Sequence, residues 1–515
     1  MSRCAPSHGI SLREVFPHAQ ILGASDVQCG SCHADAETMQ PGGVLFAGAG
    51  DSLDLAREVL EAVSRGASAI VTEQFLPSPI PQCIVSDVHE ALSCAANAVA
   101  GHPSRKVLTI GVVGTHGKTT AALLTASMLK HVGNRVGYHC TLGGSNGAES
   151  GMRCVADASA IDLAQFAAAS VENGCPAMVV EITDEMLLSR ATSGWEFDVL
   201  LFTSLRKSQR LDKLRSRGVE NALQRLMGQV KKHGVIVYNA DDARLHRWIE
   251  RYQPHAIGYG LDAACDVMGK RKERGANHQS LMIQMGRAIA PVNTKLLGDP
   301  SARHILGAAA IGYAFGLEVD EIIGGIERLQ RVPGRMQCIP SPHRRVTIDL
   351  ADQADRLAVS MHSLSCHSDA PIVCVAEVPE AATAEQLMAY GKVLERVASK
   401  VILTQSREST LSGQRSLWHV LDGCDVPASI EIVPNRETAI ELAIRSSKPT
   451  DQILLAGWGS GRWTTNRSEE SKSDIDVAER VLRELGDDRD PTPAASVAEN
   501  AEAAQRPVLK IYDAA

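Results

Sequence analysis

With 515 residues, a net charge of −8 and only 4% aromatic residues, the chain offers neither a basic field nor interleaved aromatics, which excludes nucleic-acid binding. No run reaches the roughly eighteen apolar residues of a membrane span and Met1 to His8 form no apolar export segment, so a cytoplasmic chain with no membrane partner is expected. The length exceeds what one core can serve and predicts about three domains, while thirteen dispersed cysteines suit reduced, buried thiols rather than a disulfide framework.

Residues 1–105 carry the apolar runs Gly43 to Ala47 and Ala67 to Val71 around a helical pattern from Leu53 to Val63, which predicts a small α/β domain. Cys29-Gly30-Ser31-Cys32-His33 has the C-x-x-C-H spacing of c-type haem attachment. No export signal accompanies it and no second cysteine pair completes a zinc site, so two cysteines in a loop is the expected reading.

An apolar strand over 107–113 runs into Gly114-Thr115-His116-Gly117-Lys118-Thr119-Thr120 and then into a helical pattern that stops at Gly133. Strand, glycine turn and helix start make an anion site: backbone amides and the positive helix end face phosphate oxygens, Lys118 adds an ammonium, and Thr119 or Thr120 offers a hydroxyl to magnesium. Further strands are expected at 177–182, 197–203, 234–239 and 254–259, giving residues 106–330 a mostly parallel sheet with helices on both faces. Ligands bind beyond the carboxyl ends of such strands, where Glu181 stands, either as a magnesium ligand or as the cap of the following helix.

Residues 331–486 repeat the alternation, with strands at 371–377, 399–404, 429–433 and 452–456 and helices at 383–397 and 436–446, which predicts a doubly wound α/β domain. After Gly486 the composition turns to Asp, Pro, Ala, Glu and Ser, and a disordered tail over 487–515 is expected.

G-T-H-G-K-T-T after an apolar strand resembles the ATP loop of the Mur ligases, which form the amide bonds of peptidoglycan precursors; the order of later motifs is most similar to the branch that makes UDP-N-acetylmuramoyl-tripeptide. The resemblance implies ATP and Mg2+ as cofactors, a UDP-muramoyl-peptide-like substrate and an amino acid as partners, and a monomer. It implies phosphate contacts from Gly114 to Thr120, a magnesium held by Thr119 and Glu181, Arg335 of Pro333-Gly334-Arg335-Met336 at the γ-phosphate, and Asp349 at the ribose or the closure network. Asp35 followed by Gln40-Pro41-Gly42 is similar to the family's UDP-sugar segment, with Ala36 and Glu37 in place of its serine and arginine.

Other positions depart from the pattern. In Phe202 to Asp212, Arg210 stands where the family has a magnesium-binding histidine, and a guanidinium has no lone pair for a metal. The helix Glu220 to Met227 lacks the lysine that is carbamylated in this branch, Pro300-Ser301 replaces the F-N pair, and Thr404-Gln405 replaces the start of D-N-P-R. Two readings follow: an ATP-dependent amide ligase using Lys118, Glu181, Arg335 and Arg210, or a ligase-like protein that binds ATP without turnover and serves a regulatory or scaffolding role.

Overall fold

Leu108–Val113 is buried along nearly its whole length, so a single run of Thr, Ile, Gly and Val must satisfy helices above and below it. The computed structural model describes residues 9–48, 52–152, 154, 158–205, 213–252, 256–275, 277–341, 344–379, 382–405, 411–465 and 468–486. Among them this strand is a central member of an eleven-stranded sheet of order 150–152, 143–145, 136–140, 177–181, 108–113, 197–202, 230–239, 257–260, 267–274, 279–285 and 288–294. Strands from Val136–Cys140 across to Val267–Arg274 pair in parallel. One face packs Ile110, Val112, Val179 and Leu201 against Leu124, Leu129 and Ile305 of the helices Lys118–His131 and Gly298–Ala314. The other packs Met178, Val180 and Leu200 against Leu163, Phe166, Leu223 and Ile249. Each such side chain taken from water contributes roughly 1.5–3 kcal/mol, enough to fix which face the strand turns to which helix.

The expected parallel sheet with helices on both faces is therefore present, with strand ends within a few residues of those read from the sequence. Its two wings are additional: the short strands Gly143–Ser145 and Ser150–Met152 on one side, and the antiparallel strands Gln279–Met285 and Ala288–Thr294 on the other. The segment Val267–Arg274 alternates buried Val267 and Gly269 with exposed Lys270 and Lys272, because one of its faces meets solvent. Such a strand has no continuous apolar run to reveal it.

The N-terminal sheet has order 20–22, 82–84, 69–72, 44–46 and 32–33. Cys29 and Cys32 are not loop residues as expected. They lie on the short strands Gln28–Cys29 and Cys32–His33, buried as small apolar side chains with their sulfurs 3.6 Å apart, while His33 Nε2 is 3.0 Å from Ser31 Oγ. The helix Val88–Val99 ties this sheet to the central one: Ser93 Oγ donates to Ala191 O and Ser193 O at 2.8 and 3.0 Å, and Asn97 Nδ2 donates to Gly194 O at 2.7 Å.

The third sheet has order 337–339, 345–349, 452–456, 372–377, 400–404 and 430–432, parallel except at the edge strand Gln337–Ile339. Helices including Ala354–His367 and Ala384–Val397 cover one face, and Arg436–Ser446 and Asp474–Glu484 cover the other, which is the expected double winding. The tail expectation for 487–515 lies outside the described residues. Among the described residues no helix is long and apolar enough to cross a membrane.

Asp299, in the first turn of Gly298–Ala314, pins that helix to the strand Val267–Arg274 through Arg271 Nε at 2.9 Å and Arg274 Nη2 at 2.6 Å. Burial pushes its carboxyl up, but the two guanidinium groups more than offset this and hold it below the usual carboxylate value. A depressed folded value adds stability above the unfolded value of about 3.9 and loses it as pH falls through the folded one. Asp299→Asn should therefore lower stability at neutral pH by about 1–3 kcal/mol. The gap to wild type should narrow below about pH 4, as followed by thermal unfolding across pH; a gap independent of pH would remove the ion pairs from this account.

Candidate functional site

The phosphate loop is fixed from behind. Thr115 N donates to Ser204 O at 3.1 Å, His116 N donates to Ser204 Oγ at 3.0 Å, and Thr203 Oγ1 donates to His116 O at 2.6 Å. The amides of Thr115 and His116 are thus spent on the strand-end Ser204 rather than offered to phosphate, a refinement of the sequence expectation. The first turn of Lys118–His131 leaves the amides of Lys118, Thr119 and Thr120 without intrahelical acceptors, and Gly117 leads into it with φ +84°. These amides and the helix dipole face the same point beyond the sheet edge.

Glu181 ends its strand 2% exposed and is satisfied by the loop and its neighbour: Thr119 Oγ1 donates to Oε1 at 2.9 Å and Thr141 N to Oε2 at 2.8 Å. The alternative reading of Glu181 as the next helix's cap fails, because Thr183 caps Asp184–Leu188 through its side chain. Carboxylate and hydroxyl oxygen side by side at a phosphate loop fit magnesium, which takes one or two protein oxygens and completes its shell with phosphate and water. Lys118 Nζ donates to Gly114 O at 2.6 Å and lies 3.8 Å from Asp184 Oδ1. Thr120 is buried in the same turn.

The third sheet contributes the facing wall. Gly334, at φ +62°, would place a Cβ 2.0 Å from Ser460 N, so only glycine lets the Pro333 to Met336 turn lie against the loop after strand Gln452–Ala456. That turn presents Arg335 close enough to Glu181 to feel its charge; burial lowers the guanidinium's pKa, Asp349 opposes this, and it remains protonated. Asp349 is buried, accepts from Met336 N at 3.0 Å and from the Ser360 hydroxyl, and is raised by burial against those bonds. It thus orients the arginine turn. His116 Nε2 lies 3.3 Å from Asp355 Oδ2, joining the loop to the same wall.

Sequence reasoning missed Thr141, Ser204, His304 and Asp355. His304 lies over Gly117, and burial of its ring, with Arg303 and His116 adding repulsion, pushes the imidazole down to about 4. Asn239-Ala240-Asp241-Asp242 is an architectural turn: Asp241 accepts from Leu261, Asp262 and Ala263 amides at 2.9 Å each and from Arg303 Nε at 2.7 Å. Arg210 lies outside the described residues, as does the rest of 206–212. At the third sheet's carboxyl edge, Arg436 is buried and pairs with Asp474 through Nε to Oδ1 at 2.9 Å and Nη2 to Oδ2 at 2.6 Å, and donates to Thr404 Oγ1 at 3.1 Å. No motif announced this pair, which sits on separate helices.

A phosphate loop at the carboxyl edge of a parallel sheet, faced by an arginine turn from a second α/β unit, defines a P-loop nucleotide-binding protein whose site is closed between units. Residues 112–312 match the Mur ligase middle domain and residues 334–459 the Mur ligase glutamate ligase domain. The chain belongs to the Mur ligase family. It is 27% identical over 479 residues to the UDP-N-acetylmuramoyl-L-alanyl-D-glutamate–2,6-diaminopimelate ligase of Geobacter metallireducens, covering 87% of this chain and 93% of that one. The Pseudomonas aeruginosa protein of the same name is 27% identical over 487 residues, covering 92% and 98%. A solved structure of such a diaminopimelate ligase superposes with a TM-score of 0.68 at 18% identity, covering 93% and 99%. The MurF ligase of Thermotoga maritima in complex with ADP superposes with a TM-score of 0.58 at 16% identity, covering 88% and 97%.

A Cβ added at Gly117 would fall 1.9 Å from His304 Nε2 in a backbone conformation that side chains avoid. Gly117→Ala should cost about 1–3 kcal/mol of stability and weaken ATP binding in calorimetry, with His304→Ala in the same background recovering part of the stability. Unchanged melting in Gly117→Ala would mean that the imidazole does not occupy this place.

Proposed function

We propose that this protein is an ATP-dependent ligase that joins the carboxyl group of a UDP-muramoyl peptide to the amine of an amino acid. The single observation that carries this reading is the Thr119–Glu181 pair behind the phosphate loop, with Arg335 of the third unit near enough for Glu181 to feel its charge. Curated relatives are named as ligases of UDP-N-acetylmuramoyl-L-alanyl-D-glutamate, which supports that acyl substrate here. The amine is left open, because the third-unit segments that resemble the diaminopimelate pocket are rewritten in this chain. The working units are taken as 1–105 for the UDP-sugar side, 106–330 for ATP and 331–486 for the amino acid.

In this reading the amides of Lys118, Thr119 and Thr120 hold the phosphates, and the Lys118 ammonium exchanges its contact with Gly114 O for a phosphate oxygen. Thr119 and Glu181 would hold magnesium, which supplies charge neutralisation on the phosphates when bound. Arg335 faces the γ-phosphoryl group as it passes to the substrate carboxylate, and its positive charge stabilises the oxygens on which negative charge gathers. The acyl phosphate so formed loses inorganic phosphate when the amine attacks its carbonyl carbon, leaving the amide and ADP. Asp349 keeps Arg335 aimed by fixing Met336 N, and the apposed units exclude water that would hydrolyse the acyl phosphate.

Phosphate release from ATP by purified protein, with UDP-muramoyl-dipeptide and a panel of amino acids, tests the reading. Release that needs both co-substrates is the expected result; ATP binding without release under any pairing would favour a nucleotide-binding, non-catalytic role. Lys118→Ala should weaken ATP binding by about 2–5 kcal/mol, since a buried phosphate charge loses its partner, and equal calorimetric affinities would remove Lys118 from the site.

Arg210, aligned with a metal ligand, carries a further expectation. If its cation substitutes for a second magnesium, Arg210→His should lose activity; a gain would mark the arginine as a lesion, and no change would mean that Arg210 does not align with that ligand.

A further inference from the structure

We propose that Asp355 is a positioning residue for this reaction: through His116 it ties the first turn of helix Ala354–His367 to the phosphate loop, so that the loop and the arginine turn move as one body. Three sets of contacts carry this. His116 is held on every side but one, its amide on Ser204 Oγ at 3.0 Å, its carbonyl under Thr203 Oγ1 at 2.6 Å and its Nδ1 3.1 Å from Thr115 Oγ1. Among the described residues Nε2 is left over, and it lies 3.3 Å from Asp355 Oδ2 in the other unit. At the opposite end of the helix, His367 Nδ1 donates to Gly275 O at 2.8 Å and its Nε2 accepts from Gly298 N at 3.2 Å. Both ring nitrogens are therefore used by the neutral imidazole, and this end is a fixed pivot on the central unit. Midway, the Ser360 hydroxyl donates to Asp349, which in turn accepts from Met336 N beside Arg335.

Loop, Asp355, helix, Ser360, Asp349 and Arg335 thus form one unbroken chain of contacts. The helix is about 21 Å long for its fourteen residues, so a small swing about His367 is largest at Asp355, where it meets the loop. Among the described residues Asp355 Oδ1 and His116 Nε2 are buried without hydrogen-bond partners, which leaves room for the 3.3 Å contact to tighten when a nucleotide settles the loop. The charged and titratable groups around the pair are Arg356 on the same helix, and His304 and its neighbour Arg303 on Gly298–Ala314.

The kinetic side of the proposal rests on the ligase reading, whereas its mechanical side does not. The test uses the full chain with Asp355→Asn, which keeps the size and removes the charge, and His116→Asn, which breaks the same link from the loop. Small-angle scattering with and without a non-hydrolysable ATP analogue reads the apposition of the units; calorimetry with that analogue reads affinity; substrate-dependent phosphate release reads kcat and KM. The expected result is compaction by the analogue in wild type and its loss in either variant, kcat down by about tenfold or more with KM for ATP changed far less, and a double variant no worse than the singles. Compaction and kcat as in wild type, or losses that add in the double variant, would overturn the proposal, as would a wild type that the analogue does not compact. Compaction that depends on Asp355 in a protein without turnover would sink the ligase reading and leave the coupling standing.

Discussion

A carboxylate buried at the end of a strand has to be satisfied, and among the described residues Glu181 is satisfied by Thr119 of the loop and Thr141 of the neighbouring strand end. Leaving such an ion unpaired would cost several kcal/mol, so the strands Ala177–Glu181, Leu108–Val113 and Val136–Cys140 and the helix Lys118–His131 are placed relative to one another to within a hydrogen bond's tolerance. The same contacts put a carboxylate and a hydroxyl side by side beneath the helix amides. Stability and chemistry thus have one origin here.

What that edge lacks by itself is a wall. The third sheet supplies it with a turn that depends on the absence of a side chain at Gly334, because Ser460 N occupies the space a Cβ would need. Buried Asp349 then does for the arginine turn what Glu181 does for the loop: a costly buried carboxyl is made tolerable by Met336 N and Ser360, and the price is a fixed direction for Arg335. Arg436 and Asp474 follow the same logic deeper in that unit, where a fully paired guanidinium holds strand ends and two helices in register rather than waiting for a ligand.

Much of the fold was legible locally. The apolar runs of the parallel strands, the glycine turn between strand and helix, and the alternation of periods each carry their meaning within about ten residues, so the central and third sheets and the loop residues Gly114 to Thr120 could be read from the chain. Strands with one solvated face, such as Val267–Arg274, could not, since their charged alternation has no local mark that separates it from a loop. Cys29 and Cys32 illustrate the opposite error: a metal-like spacing drew attention to residues whose place on two short strands is that of small apolar side chains.

The sequence by itself determined the class of the fold, the phosphate loop and the identity of its chemical groups, because strand period, helix start and glycine turn are properties of neighbouring residues. Only the tertiary structure decided that Thr141 shares Glu181, that Ser204 consumes two loop amides, that His304 lies over Gly117 and that Asp355 meets His116. Each of these joins residues tens to hundreds of positions apart. Their proximity is set by how sheets and helices pack, and no spacing along the chain records it.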